Sequence, residues 1–221
     1  MVVLATKLYV EGDARERSLD SLRSQVDNDV GDLDVEFELG VRHDDFPTVT
    51  LDGPDEVAAR NVLAETWGEI TEGFEAGETY VGTLESWSDD GFVLDAGEDV
   101  LVPADQLDLG PGSPAQIRER FGLVQHVPLR FTYGDTVELA EAERDRLYDW
   151  TRGSGRLNVN SATRGEVRAT VNRAGHAQDI VTVERLGLLE QSIICTEDTD
   201  PPGLLAAIGE YLPAELLAVV P

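Results

Sequence analysis

The spacing of apolar residues changes twice along the chain, and this change constrains the fold more than any other feature. Residues 14–28 carry Leu19, Leu22 and Val26 at the spacing of one helix face, whereas residues 79–139 hold mostly short apolar runs between turn residues. The first pattern indicates an amphipathic helix and the second indicates strands. Helical spacing returns towards the C-terminus. The sequence therefore predicts an α+β protein with domains at residues 1–72, 75–140 and 141–221.

The first domain is predicted to be a βαββα series. Residues 2–10 are strand-like, and the helix at 14–28 follows. Residues 35–39 and 49–51 alternate apolar and polar side chains, as half-exposed strands do. Asp52-Gly53-Pro54-Asp55 then opens a second helix, because proline and acidic residues suit the first turn. This order predicts a ferredoxin-like unit without an obvious fourth strand, so we expect the next domain to complete its edge.

The second domain is predicted to be a small barrel. Turn residues at 88–91 and 95–98 separate three short strands, and a helix that carries Ile117 and Phe121 follows them. Two further strands, over 127–133 and 136–139, close the set. Five short strands with a helix between the third and the fourth favour a small OB-like barrel.

The third domain is predicted to begin with a charged helix at 141–151 and a Gly-Ser-Gly segment at 153–155. A complete βαββαβ series follows, which predicts a second ferredoxin-like unit. Its first helix is expected over 161–174, with Asn160 or Ser161 as the N-cap.

The charge balance is strongly acidic. The chain has 44 Asp and Glu against 17 basic residues, and Lys7 is its only lysine. Such a surface can bind cations or basic partners, or it can mimic a nucleic acid. It can also keep a protein soluble in multimolar salt, where a Debye length of about 3 Å at 1 M screens the repulsion between carboxylates. We favour the last interpretation, because the acids are spread over the chain and do not form a metal-binding loop.

Several functional classes have no signal in the sequence. Cys195 is the only cysteine, which excludes an internal disulfide. The first ten residues lack the length and flanks of a signal peptide or membrane span, so we expect a cytoplasmic protein without a membrane partner. His43, His126 and His176 lie far apart and show no metal-ligand spacing. We expect a protein that is not an enzyme and needs no cofactor.

Arginine placement is the most informative part of the charge pattern. Residues 118–185 hold eleven basic and ten acidic residues, whereas the rest of the chain holds six and thirty-four. Within residues 151–178, five arginines stand against Glu166 alone. Arg164 and Arg168 are four apart and fall on one helix face. A helix start with convergent arginines predicts a phosphate site. Alternatively, these arginines pair with carboxylates of the same chain.

One segment resembles an S1-type RNA-binding domain. Gly77 and Gly82 match the paired glycines of that family's first strand, and Gly91-Phe92-Val93 matches its second strand. The histidine and serine of the third strand are absent, and residues 102–107 stand in their place. The resemblance implies a barrel whose aromatic residue faces RNA. Separately, residues 158–167 and 174–189 resemble a family of uncharacterised archaeal proteins, which implies no activity.

Together these features predict a protein that binds RNA or a ribosomal particle. We expect Tyr80 and Phe92 to stack on bases. The remaining predicted contacts are Arg118, Arg120, Arg130, Arg152, Arg156, Arg164, Arg168, Arg173 and His176. One alternative is an ACT-like sensor with a ligand site shaped by Gly175, Gly187 and Gly203. Another is an adaptor that docks on the transcription machinery. The oligomeric state is left open.

Overall fold

The computed structural model describes residues 1–212 and 214–221 as an α+β protein with three antiparallel sheets. The first sheet has the order β1-β3-β2, and two helices accompany it. The elements are β1 (Val2–Val3), α1 (Gly12–Val30), β2 (Glu36–Val41), β3 (Pro47–Asp52) and α2 (Glu56–Trp67). The strand predicted over residues 2–10 is thus only two residues long. Its continuation leaves the sheet because Thr6 and Lys7 contact the other two domains.

The free edge of β1 is covered by residues of its own domain. Leu4 forms a bridge with Glu69, and the Ile70 N–H donates to the Val3 carbonyl at 2.9 Å. We expected the central domain to complete this edge. The segment after α2 does so instead, because Gly68 adopts a positive φ of 76° and turns the chain back along β1.

The central sheet is a curled half-barrel. Its order is β6-β5-β4-β7-β8, so β6 and β8 remain its two edges within the described residues. The predicted small OB-like barrel is therefore observed as a half-barrel. With only two residues, β8 offers too few backbone groups to close the sheet. The elements are β4 (Thr79–Ser88), β5 (Gly91–Asp95), β6 (Asp99–Pro103), α3 (Pro114–Phe121), β7 (Pro128–Thr132) and β8 (Glu138–Leu139).

Local sequence explains the ends of α3. The Ser113 hydroxyl accepts from the N–H of Gln116, whose side chain accepts from the Ser113 N–H, which is a complete capping box. Pro114 occupies the first helical position, where a missing N–H costs nothing. Gly122 ends the helix in the left-handed region at φ 63°. The helix is held against the half-barrel by Ile117 and Phe121, which are buried in its core.

The C-terminal domain follows the predicted order of elements. Its sheet has the order β10-β11-β9-β12, and every neighbouring pair is antiparallel. The helix α6 ends at Ile208 and continues as a 3-10 turn over Gly209–Tyr211. The elements are α4 (Glu141–Trp150), β9 (Arg156–Val159), α5 (Arg164–Arg173), β10 (Ile180–Arg185), β11 (Gln191–Cys195), α6 (Pro201–Ile208) and β12 (Leu216–Val219).

The C-terminal domain packs against both others through its own apolar residues. Leu188 and Leu189, in the β10–β11 turn, are buried in the core of the N-terminal domain. Val219 of β12 is buried in the core of the half-barrel, and so is Trp150 of α4, the helix that connects the half-barrel to β9. Burial of such side chains stabilises the arrangement of domains. Over the two described ranges, no helix combines the length and apolarity that crossing a membrane requires.

Candidate functional site

All three domains line one cleft of about 440 Å³. The end of α2 forms one wall, with Glu65, Thr66 and Trp67. Strand β4 contributes Tyr80. The remaining wall comes from β7, α4 and β10, and it carries Arg130, Arg146 and Arg185. Ligand sites often occur at such domain interfaces, in clefts of this size.

Two of these arginines share one buried carboxylate. Glu143 has no exposed surface, and its Oε1 accepts from Arg146 Nε at 3.0 Å and, more closely, from a terminal nitrogen of the same side chain. Its Oε2 lies 3.5 Å from a terminal nitrogen of Arg130. Arg130 keeps 48% of its side chain exposed. Two guanidinium groups and one carboxylate leave a net charge of +1 on this wall.

Stacking on tryptophan holds the cleft arginines. The Arg185 guanidinium carbon lies 3.7 Å from the centroid of the Trp67 ring, and the Trp67 indole donates to Asp29 at 2.9 Å. Arg146 lies in the same way 4.9 Å from the ring centroid of Trp150. A guanidinium on an aromatic face keeps its edge N–H groups free for further hydrogen bonds. Arg146 uses its Nε and one terminal nitrogen for Glu143, and Arg185 uses one terminal nitrogen for Gln25 Oε1 at 3.0 Å, so each presents only its remaining donors in a fixed position.

The exposed arginines of α5 extend the basic surface beyond the cleft. Burial lowers the pKa of Arg185; nearby Asp29 raises it, and nearby Arg164 lowers it further. Arg164 is therefore close enough to Arg185 to repel it. Arg164 and Arg168 are exposed, and within the described residues no carboxylate oxygen lies within 4.0 Å of either guanidinium. We call Arg164, Arg168 and Arg185 the arginine row.

The predicted cap of α5 is wrong. Thr163, rather than Asn160 or Ser161, caps the helix, and it forms a capping box with Glu166. The side chain of Asn160 instead donates to the Gln125 carbonyl at 3.2 Å. A carboxylate of the protein itself therefore lies at the helix start, where the sequence predicted a phosphate site. Glu166 also pairs with Arg17 at 3.0 Å, which joins α5 to α1.

Several predicted contact residues are used inside the protein. Arg118 is buried, stacks 3.7 Å from the Trp87 ring centroid and pairs closely with Glu215. Arg120 donates to the backbone carbonyls of residues 109 and 111 at 2.5 and 2.8 Å. Intramolecular pairing, which was the alternative interpretation, describes these side chains. The other such pairs are Arg152–Asp149 at 3.5 Å, Arg156–Glu184 at 3.6 Å and His176–Asp179 at 2.6 Å.

The two predicted aromatic contacts differ in exposure. Phe92 has no exposed surface and packs in the half-barrel core, so it cannot stack on a base, and we exclude it from the candidate surface. Tyr80 is half-buried and lines the cleft, and its hydroxyl accepts from the Glu75 N–H at 2.8 Å. Arg173 is exposed, and its guanidinium carbon lies 5.8 Å from the Tyr211 ring centroid.

A polar network that the sequence did not predict joins the three domains. Lys7 reaches Glu85 at 3.1 Å and Asp95 at 2.7 Å. Glu85 also pairs with His126 at 3.1 Å, and the His126 ring packs 4.0 Å from the ring of Tyr9, centroid to centroid. The sequence offered one hint of this network, which is that Lys7 is the only lysine in the chain. We call this network, with Ser161 and Glu190, the three-domain seam.

Glu190 lies at the centre of the seam. Its Oε1 accepts from the Tyr9 hydroxyl at 2.7 Å, and Tyr9 in turn accepts from the Ser161 N–H at 2.8 Å. Its Oε2 is buried and has no hydrogen-bond partner among the described residues. Burial raises the pKa of Glu190 to about 8, and burial beside this carboxyl also raises the pKa of Tyr9. His126 and Ser161 both adopt positive φ, at 67° and 57°, which is uncommon for such residues.

Comparison with known proteins places the whole chain in one family. The model of the DUF2110 N-terminal domain matches residues 1–73, and that of the DUF2110 central domain matches residues 74–151. The model of the DUF2110 C-terminal domain matches residues 154–220. A search of curated proteins found no match. Within the described ranges, no group of three or more His, Cys, Asp or Glu side chains is placed to hold a metal ion.

Proposed function

We propose that this chain, which belongs to the DUF2110 family, is a non-enzymatic protein that binds structured RNA, free or within a ribonucleoprotein such as the ribosome. The observation that carries the proposal is the arginine row. Arg164, Arg168 and Arg185 have no carboxylate oxygen within 4.0 Å among the described residues, although acids outnumber basic residues 44 to 17 in the chain. Arginines that lack a carboxylate partner in such an acidic chain favour an anionic partner.

The position of the row supports a polymeric ligand. Arg164 and Arg168 occupy successive turns of one helix face, and Arg185 leads from there into the cleft. Successive phosphates of one strand can meet successive guanidinium groups along such a line. Arginine suits this task in concentrated salt, because a bidentate contact depends on geometry as well as charge. Counterion release contributes less as salt rises.

The central domain supports an OB-like interpretation of the fold, but not its usual base contacts. OB-folds are partly open five-stranded barrels that bind oligonucleotides on their second and third strands. Strands β5 and β6 hold those positions here, and Val93 pairs with Leu101 across them. Leu101 is exposed, whereas Phe92 is buried. The half-barrel therefore offers an aliphatic surface there, and the proposal rests on arginines instead of stacking.

The C-terminal domain has the strand order of a ferredoxin-like unit, which also occurs in small-molecule sensors. The glycines expected to shape a sensor site do not support that alternative. Gly187 is packed against Thr6, Pro128 and Glu190 at the seam, where a ligand has no room. Gly175 ends α5, and Gly203 lies in the first turn of α6. We therefore favour RNA over a sensed metabolite.

Crosslinking in cells tests the proposal. We expect ultraviolet irradiation to attach RNA to the protein, and we expect the protein to sediment with ribosomal particles in about 2 M KCl. Replacing Arg164 and Arg168 by glutamine should reduce both signals. The proposal is abandoned if the native protein neither crosslinks to RNA nor sediments with these particles. Recovery of polymerase subunits without RNA would favour the adaptor alternative instead.

A further inference from the structure

We propose that the three-domain cleft binds one ribonucleotide unit, with the phosphate on the Arg130–Arg146 wall and the ribose hydroxyls towards the end of α2. The inference rests on the proposed function only for the polymeric form of the ligand. A free ribonucleoside monophosphate carries the same chemistry. The geometry points to this ligand because the two walls differ: one provides hydrogen-bond donors and positive charge, and the other provides acceptors.

The first wall provides hydrogen-bond donors and positive charge. Glu143 uses the Nε of Arg146 at 3.0 Å and a second nitrogen of the same fork, and it lies only 3.5 Å from one nitrogen of Arg130. Arg130 is half-exposed, so most of its five N–H groups are free to turn towards a ligand. Arg185, fixed over Trp67, adds a planar cation. Phosphate oxygens are the natural acceptors for such forks.

The second wall provides acceptors. The helix α2 ends at Trp67, and the last carbonyls of a helix lack partners within it. Glu65 and the hydroxyl of Thr66 line the same wall, and the hydroxyls of Thr71 and Thr79 lie nearby in the cleft. An inorganic anion would use only the arginine wall. A ligand that carries both a phosphate and hydroxyl donors uses both walls, and a ribonucleotide is such a ligand.

The negative charge of the second wall disfavours a simple inorganic anion. Glu69 is neutralised by Arg60 at 2.6 Å, whereas no basic side chain lies within 4.0 Å of the Glu65 carboxylate in the described part of the chain. An unbalanced carboxylate repels any phosphate placed beside it, whether inorganic or esterified. It accepts hydrogen bonds from a ribose, which keeps the phosphate at the far wall. We therefore expect selection for a nucleotide over inorganic phosphate, and for ribose over deoxyribose.

Equilibrium dialysis of the full chain with adenosine 5′-monophosphate, its 2′-deoxy counterpart and inorganic phosphate tests the inference. We expect the ribonucleotide to bind about fivefold more tightly than the deoxynucleotide, the ratio that one lost hydrogen bond gives. Inorganic phosphate should bind more weakly than either. Arg130→Gln should weaken nucleotide binding about tenfold, whereas Arg130→Lys should restore part of it. Arg23→Gln, which removes an exposed arginine of α1 outside the cleft, should leave binding unchanged.

The outcomes separate this inference from the proposed function. Ribonucleotide binding that depends on Arg130, in a protein that does not bind RNA, supports the cleft site and overturns RNA binding. RNA binding that depends on Arg164 and Arg168, without nucleotide binding in the cleft, overturns the cleft site alone. Equal affinity for the ribo- and deoxynucleotide, or no effect of Arg130→Gln, would also overturn it. Circular dichroism of Arg130→Gln checks that the variant is folded.

Discussion

The Tyr9 hydroxyl donates a 2.7 Å hydrogen bond to Glu190 and thereby joins residues 181 positions apart in sequence. The bond crosses from the N-terminal domain to the C-terminal one, and His126 of the central domain packs on the same tyrosine ring. The three domains thus meet at one polar network. The shape of the cleft depends on this seam, so changes at the seam report on the arrangement of the domains.

Glu190 makes the stability of the seam depend on pH. Its folded pKa is about 8, against an ordinary value of 4.5. Between these values the unfolded carboxyl is ionised while the folded one keeps its proton, so the free energy of unfolding falls as pH rises from 4.5 to 8. The loss is up to about 5 kcal/mol over the whole window. Denaturant titrations from pH 5 to 9 should show this slope, and Glu190→Gln should flatten it. An unchanged slope in the variant would assign it to other groups.

Lys7 should contribute more stability than an exposed basic residue. It pairs with Glu85 and Asp95, whose side chains are 23% and 17% exposed. Lys7→Ala leaves both carboxylates with less compensation, and we expect a loss of about 2–3 kcal/mol, less than for a fully buried pair. Arg152→Ala breaks an exposed pair and should cost less than about 0.5 kcal/mol. Equal losses in the two variants, measured by denaturant unfolding, would contradict the structural role of the seam.

Gly187 is required by close packing and not by its backbone angles. A Cβ there would clash with the Glu190 carboxylate and would lie 3.1 Å from both Pro128 and Thr6. Gly187→Ala should therefore destabilise the fold by about 1–3 kcal/mol. Gly165, in the first turn of α5, meets no atom within 4 Å, and Gly165→Ala should stabilise by up to about 1 kcal/mol. Melting temperatures that move in opposite directions would confirm the prediction, and a neutral Gly187→Ala would contradict it.

The sequence predicted the order of elements well wherever apolar periodicity and caps were local. The helix that carries Ile117 and Phe121 and the short strands β4 to β7 belong to that class. It did not predict features that depend on contacts across the chain. Residues 6–10 look like a strand but leave the sheet for the seam, and α5 begins at Arg164 because Thr163 and Glu166 satisfy each other.

The candidate site shows the same division. Helical spacing placed Arg164 and Arg168 on one face, but it could not show that Arg118 stacks on Trp87 or that Phe92 faces the core. Arg146 and Arg185 entered the site only through the packing of the domains. The sequence shows which residues are arginines and how they are spaced, whereas the side chain that each arginine contacts depends on the tertiary fold. Arginine counts alone therefore overestimated the free surface.

Salt should stabilise the fold. The formal net charge is −27, and repulsion between surface carboxylates is screened as the Debye length falls to about 3 Å at 1 M salt. We expect the melting temperature to rise steadily between about 0.2 and 2 M KCl. Potassium chloride is the suitable salt, because sulfate would also strengthen apolar burial. A melting temperature that is constant or falls over this range would contradict adaptation to concentrated salt.

The RNA affinity of an arginine-row variant tests whether the protein binds RNA through Arg164 and Arg168. The double variant Arg164→Gln/Arg168→Gln is compared with Arg15→Gln/Arg42→Gln, which removes the same charge from arginines paired with Asp45 and Asp44. In filter binding to ribosomal RNA fragments at about 2 M KCl, we predict at least about a tenfold loss for the first variant and little change for the second. Equal affinities of the two variants, or no RNA binding by the native protein, would contradict the account.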